Sequence, residues 1–153
     1  MTYAEKTSVS AEKSRAEIER TLQRYGADQF MYGWEEGQAM VGFRMYGRQV
    51  RFLLPMPDRT AREFTHTPSR GKPRSESQAF EAWEQACRQR WRALFLVIKA
   101  KMEAAEAGIS TFEEEFLANT VLPNNTTVGQ FMLPQVRTAY ESGDMPKMLP
   151  HLE

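Results

Sequence analysis

QFMYGWEEGQAMVGFRMYGRQVRFLLPMP, residues 29–57, alternates apolar and polar positions in three short runs, with turn signals at EEGQ and YGRQ between them. A period of two is the signature of half-buried strands, and short Gly-containing breaks are hairpin signals. The pattern predicts a three-stranded antiparallel meander. Phe30, Tyr32, Trp34, Val41, Phe43, Met45, Val50, Phe52 and Leu54 fall on one face, for the core. Gly33, Gly42, Arg44, Gln49 and Arg51 fall on the other, a lightly covered and positive surface.

Helical spacing flanks the meander. Upstream, Ile18, Leu22 and Tyr25 recur at i, i+4 and i+7. Ser10 is placed to cap that helix, Ser14 and Glu17 have capping-box spacing, and Gly26 supplies the stop. Downstream, residues 77–107 carry Phe80, Trp83, Cys87, Trp91, Leu94, Ile98, Met102 and Ala105 in three- and four-residue steps. This predicts one long helix with a buried stripe, too long for a single small domain to cover fully. Arg88, Arg92 and Lys99 fall on another of its lines. Inside it, the hexad 93–98 is far short of the roughly 18 apolar residues a spanning helix needs. Phe95, Leu96 and Val97 widen the apolar surface beyond the stripe, toward a neighbouring subunit.

Between meander and long helix, residues 56–77 mix Pro, Gly, Ser and Thr with Arg59, Arg62, Arg70, Lys72 and Arg74, the composition of a basic loop. Beyond Gly108, Ser110 with Glu113 and Thr127 with Gln130 read as two further capping boxes. Phe112, Phe116 and Leu117 are expected inward, Pro134 to kink or divide the last helix, and Gly143 to end it. The tail DMPKMLPHLE reads as a surface strap or oligomer contact. The fold expected is α+β in a single domain, residues 1–153. An α-β-β-β-α core spans 8–107 and a helical extension 108–153.

The 20 Lys/Arg and 20 Asp/Glu cancel, but unevenly along the chain. Residues 44–101 hold 13 basic against 5 acidic, a net of +8. The segments before and after carry nets of −2 and −6. A basic middle points to nucleic acid or an acidic partner, whereas charges that pair across the fold would give the same asymmetry. One cysteine, Cys87, allows no intrachain disulfide, and the charged N-terminus lacks the apolar core of a signal peptide. A cytoplasmic setting with no membrane partner is the resulting expectation.

Phosphate loops, dinucleotide glycine signatures, zinc-protease helices and serine elbows do not occur. Cys87, His66 and His151 are not spaced for zinc. Glu113, Glu114 and Glu115 point about 100° apart on a helix, so they suit a first turn rather than a metal. No cofactor, no metal and no enzymatic activity are expected. The candidate nucleic-acid-binding residues are Arg44, Tyr46, Arg48, Arg51, Arg70, Lys72, Arg74, Arg88, Arg92 and Lys99. Their cations would neutralise phosphates, and Tyr46 would stack on a base.

RYGADQFMYGW (24–34), RMYGRQVRFLLPMP (44–57), the stretch RQRWRALFLVIKAK to TVLP (88–123), TVGQFMLPQV (127–136) and AYESGDMPKMLP (139–150) together resemble a family of small proteins encoded in phages and prophages. That resemblance implies a phage context, acting in the host cell cytoplasm, and no activity. The order helix, meander, basic loop, long helix is similar to the core of single-strand annealing proteins. This likeness implies rings or filaments that lay single-stranded DNA in a positive groove between sheet and helix. The leading expectation is an oligomeric phage protein that binds single-stranded DNA, in annealing or recombination. The alternative is a protein-binding module that inhibits or redirects a host factor, in defence or at a polymerase. A continuous positive groove would favour the first, and separate neutralised patches the second.

Overall fold

The computed structural model describes residues 4–145; most of the expected C-terminal strap lies outside them. Helix α1 (Ala11–Tyr25) leads into strands β1 (Gln29–Glu35), β2 (Gln38–Met45) and β3 (Arg48–Pro55). A one-turn helix α2 (Arg62–Thr65), the long α3 (Glu76–Glu106), the short α4 (Phe112–Glu115) and α5 (Val128–Ser142) come next. The architecture is α+β, with the meander in the order β1-β2-β3.

The register obeys the alternation. Phe30 pairs with Phe43 and Phe43 with Val50; Tyr32 pairs with Val41 and Val41 with Phe52. These rows face α1 and α3. Ile18 and Leu22 of α1 and Trp91, Leu94, Phe95, Ile98 and Met102 of α3 join them in one core. Phe112 and Phe116 belong to the same core, so the C-terminal extension helps close it. Phe116 is fully buried, with its ring edge-on to Phe43 and Phe52.

Several local details differ from the sequence reading. The second hairpin turns at Tyr46-Gly47, with φ of 53° and 74°, so Arg48 already belongs to β3. Two positive-φ residues match the strand twist that a two-residue hairpin requires. Ser10 caps α1, accepting from Lys13 N, whereas Ser14 is buried within the helix. Thr111, not Ser110, caps α4, and Leu117 points outward, 55% exposed. Phe95 and Leu96 pack into the chain's own core rather than facing outward; Val97 is exposed. Helix α5 runs through Pro134 without a break and ends at Gly143 in the left-handed region. The 56–77 segment is built: α2, a bridge between His66 and Pro73, and a Ser75–Gln78 capping box that starts α3.

Element lengths decide how far the core extends. At 1.5 Å per residue α3 runs about 46 Å, while eight strand residues cover about 26 Å. The sheet therefore cannot cover the helix. Its C-terminal half seals the core through Trp91, Leu94, Phe95, Ile98 and Met102, and its N-terminal third overhangs the β1–β2 end of the sheet.

Candidate functional site

The ten cation and tyrosine positions do not share one surface. Arg44 and Arg51 lie on the sheet face away from α3, because their neighbours Phe43, Val50 and Phe52 face the helix. Arg88, Arg92 and Lys99 belong to α3 itself, on the opposite side of the sheet. Among the described residues the two sets therefore lie on opposite sides of the sheet.

Most of these cations are also engaged. Arg44 forks onto Asp28, Nη2 to Oδ2 at 2.7 Å and Nε to Oδ1 at 3.0 Å. This hydrogen bond and charge hold the Asp28 carboxyl below its ordinary value. Arg48 meets Glu113 at 3.2 Å, Arg88 meets Glu81 at 3.1 Å, and Arg92 meets Glu17 at 2.6 Å. Arg51 donates to the Asn125 carbonyl at 2.8 Å and to Asn125 Oδ1 at 3.1 Å, clasping the 122–127 turn to the open sheet face. Arg74 donates to the carbonyls of Glu63 and Phe64. Tyr46 sits in the hairpin turn, ring edge to Phe112. The side chains of Arg70, Lys72 and Lys99 are exposed and make no hydrogen bond or ion pair among the described residues.

Where α3 overhangs, a cleft of about 880 Å³ opens. Its walls are the start of α1, the end of β1 with the β1–β2 turn, the segment after β3, and the N-terminal half of α3. Tyr32, Trp34 and Trp83 supply the aromatic surface, and the buried Trp91 forms its floor. Trp34 lies on the core face of β1 yet is 76% exposed, because no described helix packs over that end. Trp83, a core residue by its periodicity, is only half-buried. Its Nε1 donates to the Pro57 carbonyl at 2.9 Å, tying the post-β3 segment to α3. Two guanidinium groups stack on the rings. Arg15 lies 4.4 Å from the Tyr32 ring and donates to its hydroxyl, and Arg59 lies 4.6 Å from the Phe80 ring and 5.6 Å from Trp83.

Charge on the lining is unequal. Glu12, Glu35, Glu36, Asp58 and Glu84 stand against Arg15, Arg59 and Arg88. The three guanidinium groups are each stacked on a ring or held by a carboxylate. Asp58 accepts from Thr60 N and Oγ1, which holds its carboxyl below the ordinary value and keeps it ionised. The rim is thus anionic around an aromatic interior.

Burial, with the Glu84 carboxylate nearby, pushes the Cys87 thiol up, the reverse of an activated thiolate. Among the described residues no group of three or more His, Cys, Asp or Glu is placed to hold a metal ion. No described helix is long and apolar enough to cross a membrane. No protein family, curated protein or solved structure matches the chain.

Periodicity assigns Tyr32, Trp34, Trp83 and Trp91 to the core, which holds for Trp91 and not for the other three, and composition places Arg59 only in the basic loop. The signal that could have found the cleft is the length mismatch. A helical stripe that begins at Phe80, joined to strands of seven or eight residues, must leave aromatic side chains without a cover.

Proposed function

We propose that the protein is a binding module without catalytic chemistry, and that its partner is another protein, which presents a cationic segment to the cleft. One observation carries this reading: an exposed indole, Trp34, stands in an aromatic cleft whose rim holds five carboxylates and whose guanidinium groups are already engaged. Lys and Arg stems pack along aromatic faces while their charged ends meet carboxylates, and a cation over an indole gains about 0.5–2 kcal/mol. A phosphate in the same place meets the opposite balance. Within about 4 Å of an unpaired carboxylate it is repelled by about 1–4 kcal/mol. The pairing of Arg44, Arg48, Arg88 and Arg92 with carboxylates supports the same choice, since neutralised patches suit a protein partner.

The second reading, binding of single-stranded DNA, rests on a specific feature too: Arg70 and Lys72 are exposed and unpaired on one loop tip, in the most basic stretch of the chain. In a phage setting either partner would be met in the host cytoplasm.

The two are separated by titrating the protein at about 50 mM salt, where charge contacts are least screened. One ligand is a ten-residue Lys/Arg-rich, proline-containing peptide, the other an oligothymidine. The peptide is expected to quench tryptophan fluorescence and to bind about tenfold more weakly to Trp34→Ala. Oligothymidine that binds while the peptide does not would replace the protein-partner reading with the nucleic-acid one.

A further inference from the structure

Resting on the cleft's reading as a cation-binding site, we infer that one occupant is a second copy of this chain, through the loop tip at Ser69–Lys72. The tip is a closed turn. Thr67 N donates to the Lys72 carbonyl at 2.8 Å, Lys72 N donates to Thr67 Oγ1 at 3.0 Å, and Gly71 N donates to the Thr67 carbonyl at 3.0 Å. Gly71 has φ of 61°, a conformation that favours glycine, and the His66–Pro73 bridge closes the base. Arg74 is folded back onto the carbonyls of Glu63 and Phe64, bracing the same base. The backbone is therefore fixed before any contact, which lowers the ordering cost of binding.

What this rigid turn displays is two cations. Arg70 and Lys72 are exposed, and their side chains make no hydrogen bond or ion pair among the described residues. The cleft offers the complement, five carboxylates around exposed rings. The lining takes in residues up to Thr60 and resumes at Trp83, so the tip lies outside the cleft of the molecule that carries it. Donor and acceptor surfaces that are complementary but separate on one chain make a head-to-tail contact, and repeating it gives a ring or an open filament. In that assembly the partner copy contributes the two charges the cleft lacks.

Sedimentation velocity of the full chain at about 50 and 500 mM salt tests this. Wild type is expected to exceed 17.7 kDa at low salt and to dissociate at high salt. Arg70→Glu with Lys72→Glu, and separately Glu12→Arg with Glu36→Arg, each weaken self-association at least about tenfold by setting like charges together. All four positions are exposed. Mixing the two double variants in equal amounts restores assembly, because the acidic tip of one meets the basic cleft of the other, and the basic tip meets the acidic cleft. Restoration in the mixture also shows that both variants are folded. A wild type that stays monomeric at low salt, variants that assemble as wild type does, or a mixture that stays monomeric overturns the inference. The cation-binding reading fails separately, if the Lys/Arg-rich peptide does not bind the monomeric Arg70→Glu, Lys72→Glu variant, whose cleft is intact.

Discussion

Phe116 sets the scale of single-residue effects in the core. It is fully buried and holds Phe43, Phe52 and Phe112 together, so Phe116→Ala should cost about 3–5 kcal/mol in chemical denaturation. Gly129 is a packing glycine. A Cβ there would stand 2.9 Å from the Ala118 carbonyl oxygen, so Gly129→Ala should destabilise by about 1–3 kcal/mol despite alanine's better helix propensity. The Asp28–Arg44 pair is exposed and its effect is read by pH. With the Asp28 carboxyl held below its ordinary 3.8, the pair's contribution is complete above that pH and is lost as pH falls through the lowered value. Melting curves of wild type and Asp28→Asn should differ above pH 3.8 and converge in stronger acid. Which residues turn inward in the sheet was legible, since a period of two leaves no choice. Which arginine meets which carboxylate was not: Glu17 and Arg92 lie 75 positions apart, and only tertiary packing joins them.

Among the elements, most start and stop signals carried their usual meaning. Ser10, Thr127, Gly26 and Gly143 sit where the sequence placed them. Where two candidates were adjacent, as at Ser110 and Thr111, spacing could not choose, and Thr111 takes the cap by accepting from Glu114 N. The long helix begins with a full Ser75–Gln78 capping box, so Ser75→Ala should lower stability by about 1 kcal/mol. Helix α5 predicts the contrary kind of result. None of its residues is buried, and Leu133 and Tyr140 are 58% and 88% exposed. Replacing both by alanine should leave unfolding within about 0.5 kcal/mol of wild type per site.

For the molecule as a whole, the decisive quantity is how charge is spent. The basic middle of the chain was plain in the sequence, yet four of its expected DNA-binding arginines are engaged by Asp28, Glu113, Glu81 and Glu17. The candidate cleft arises instead from a mismatch between helix and strand length, which no local pattern reports. Its aromatic residues obey the core's periodicity and so resemble core in the sequence; they do lie on the core's face, beyond its end. We propose that this end of the molecule, and not the arginine-bearing face of the sheet, receives the partner. Amide hydrogen exchange of the full chain with and without the Lys/Arg-rich peptide tests it most directly. Protection is predicted around the β1–β2 turn at Glu35–Gln38 and along Met56–Thr60, with no change from Arg48 to Arg51. Peptide-induced protection confined to the Arg44–Arg51 strands, with the cleft unchanged, would contradict the account.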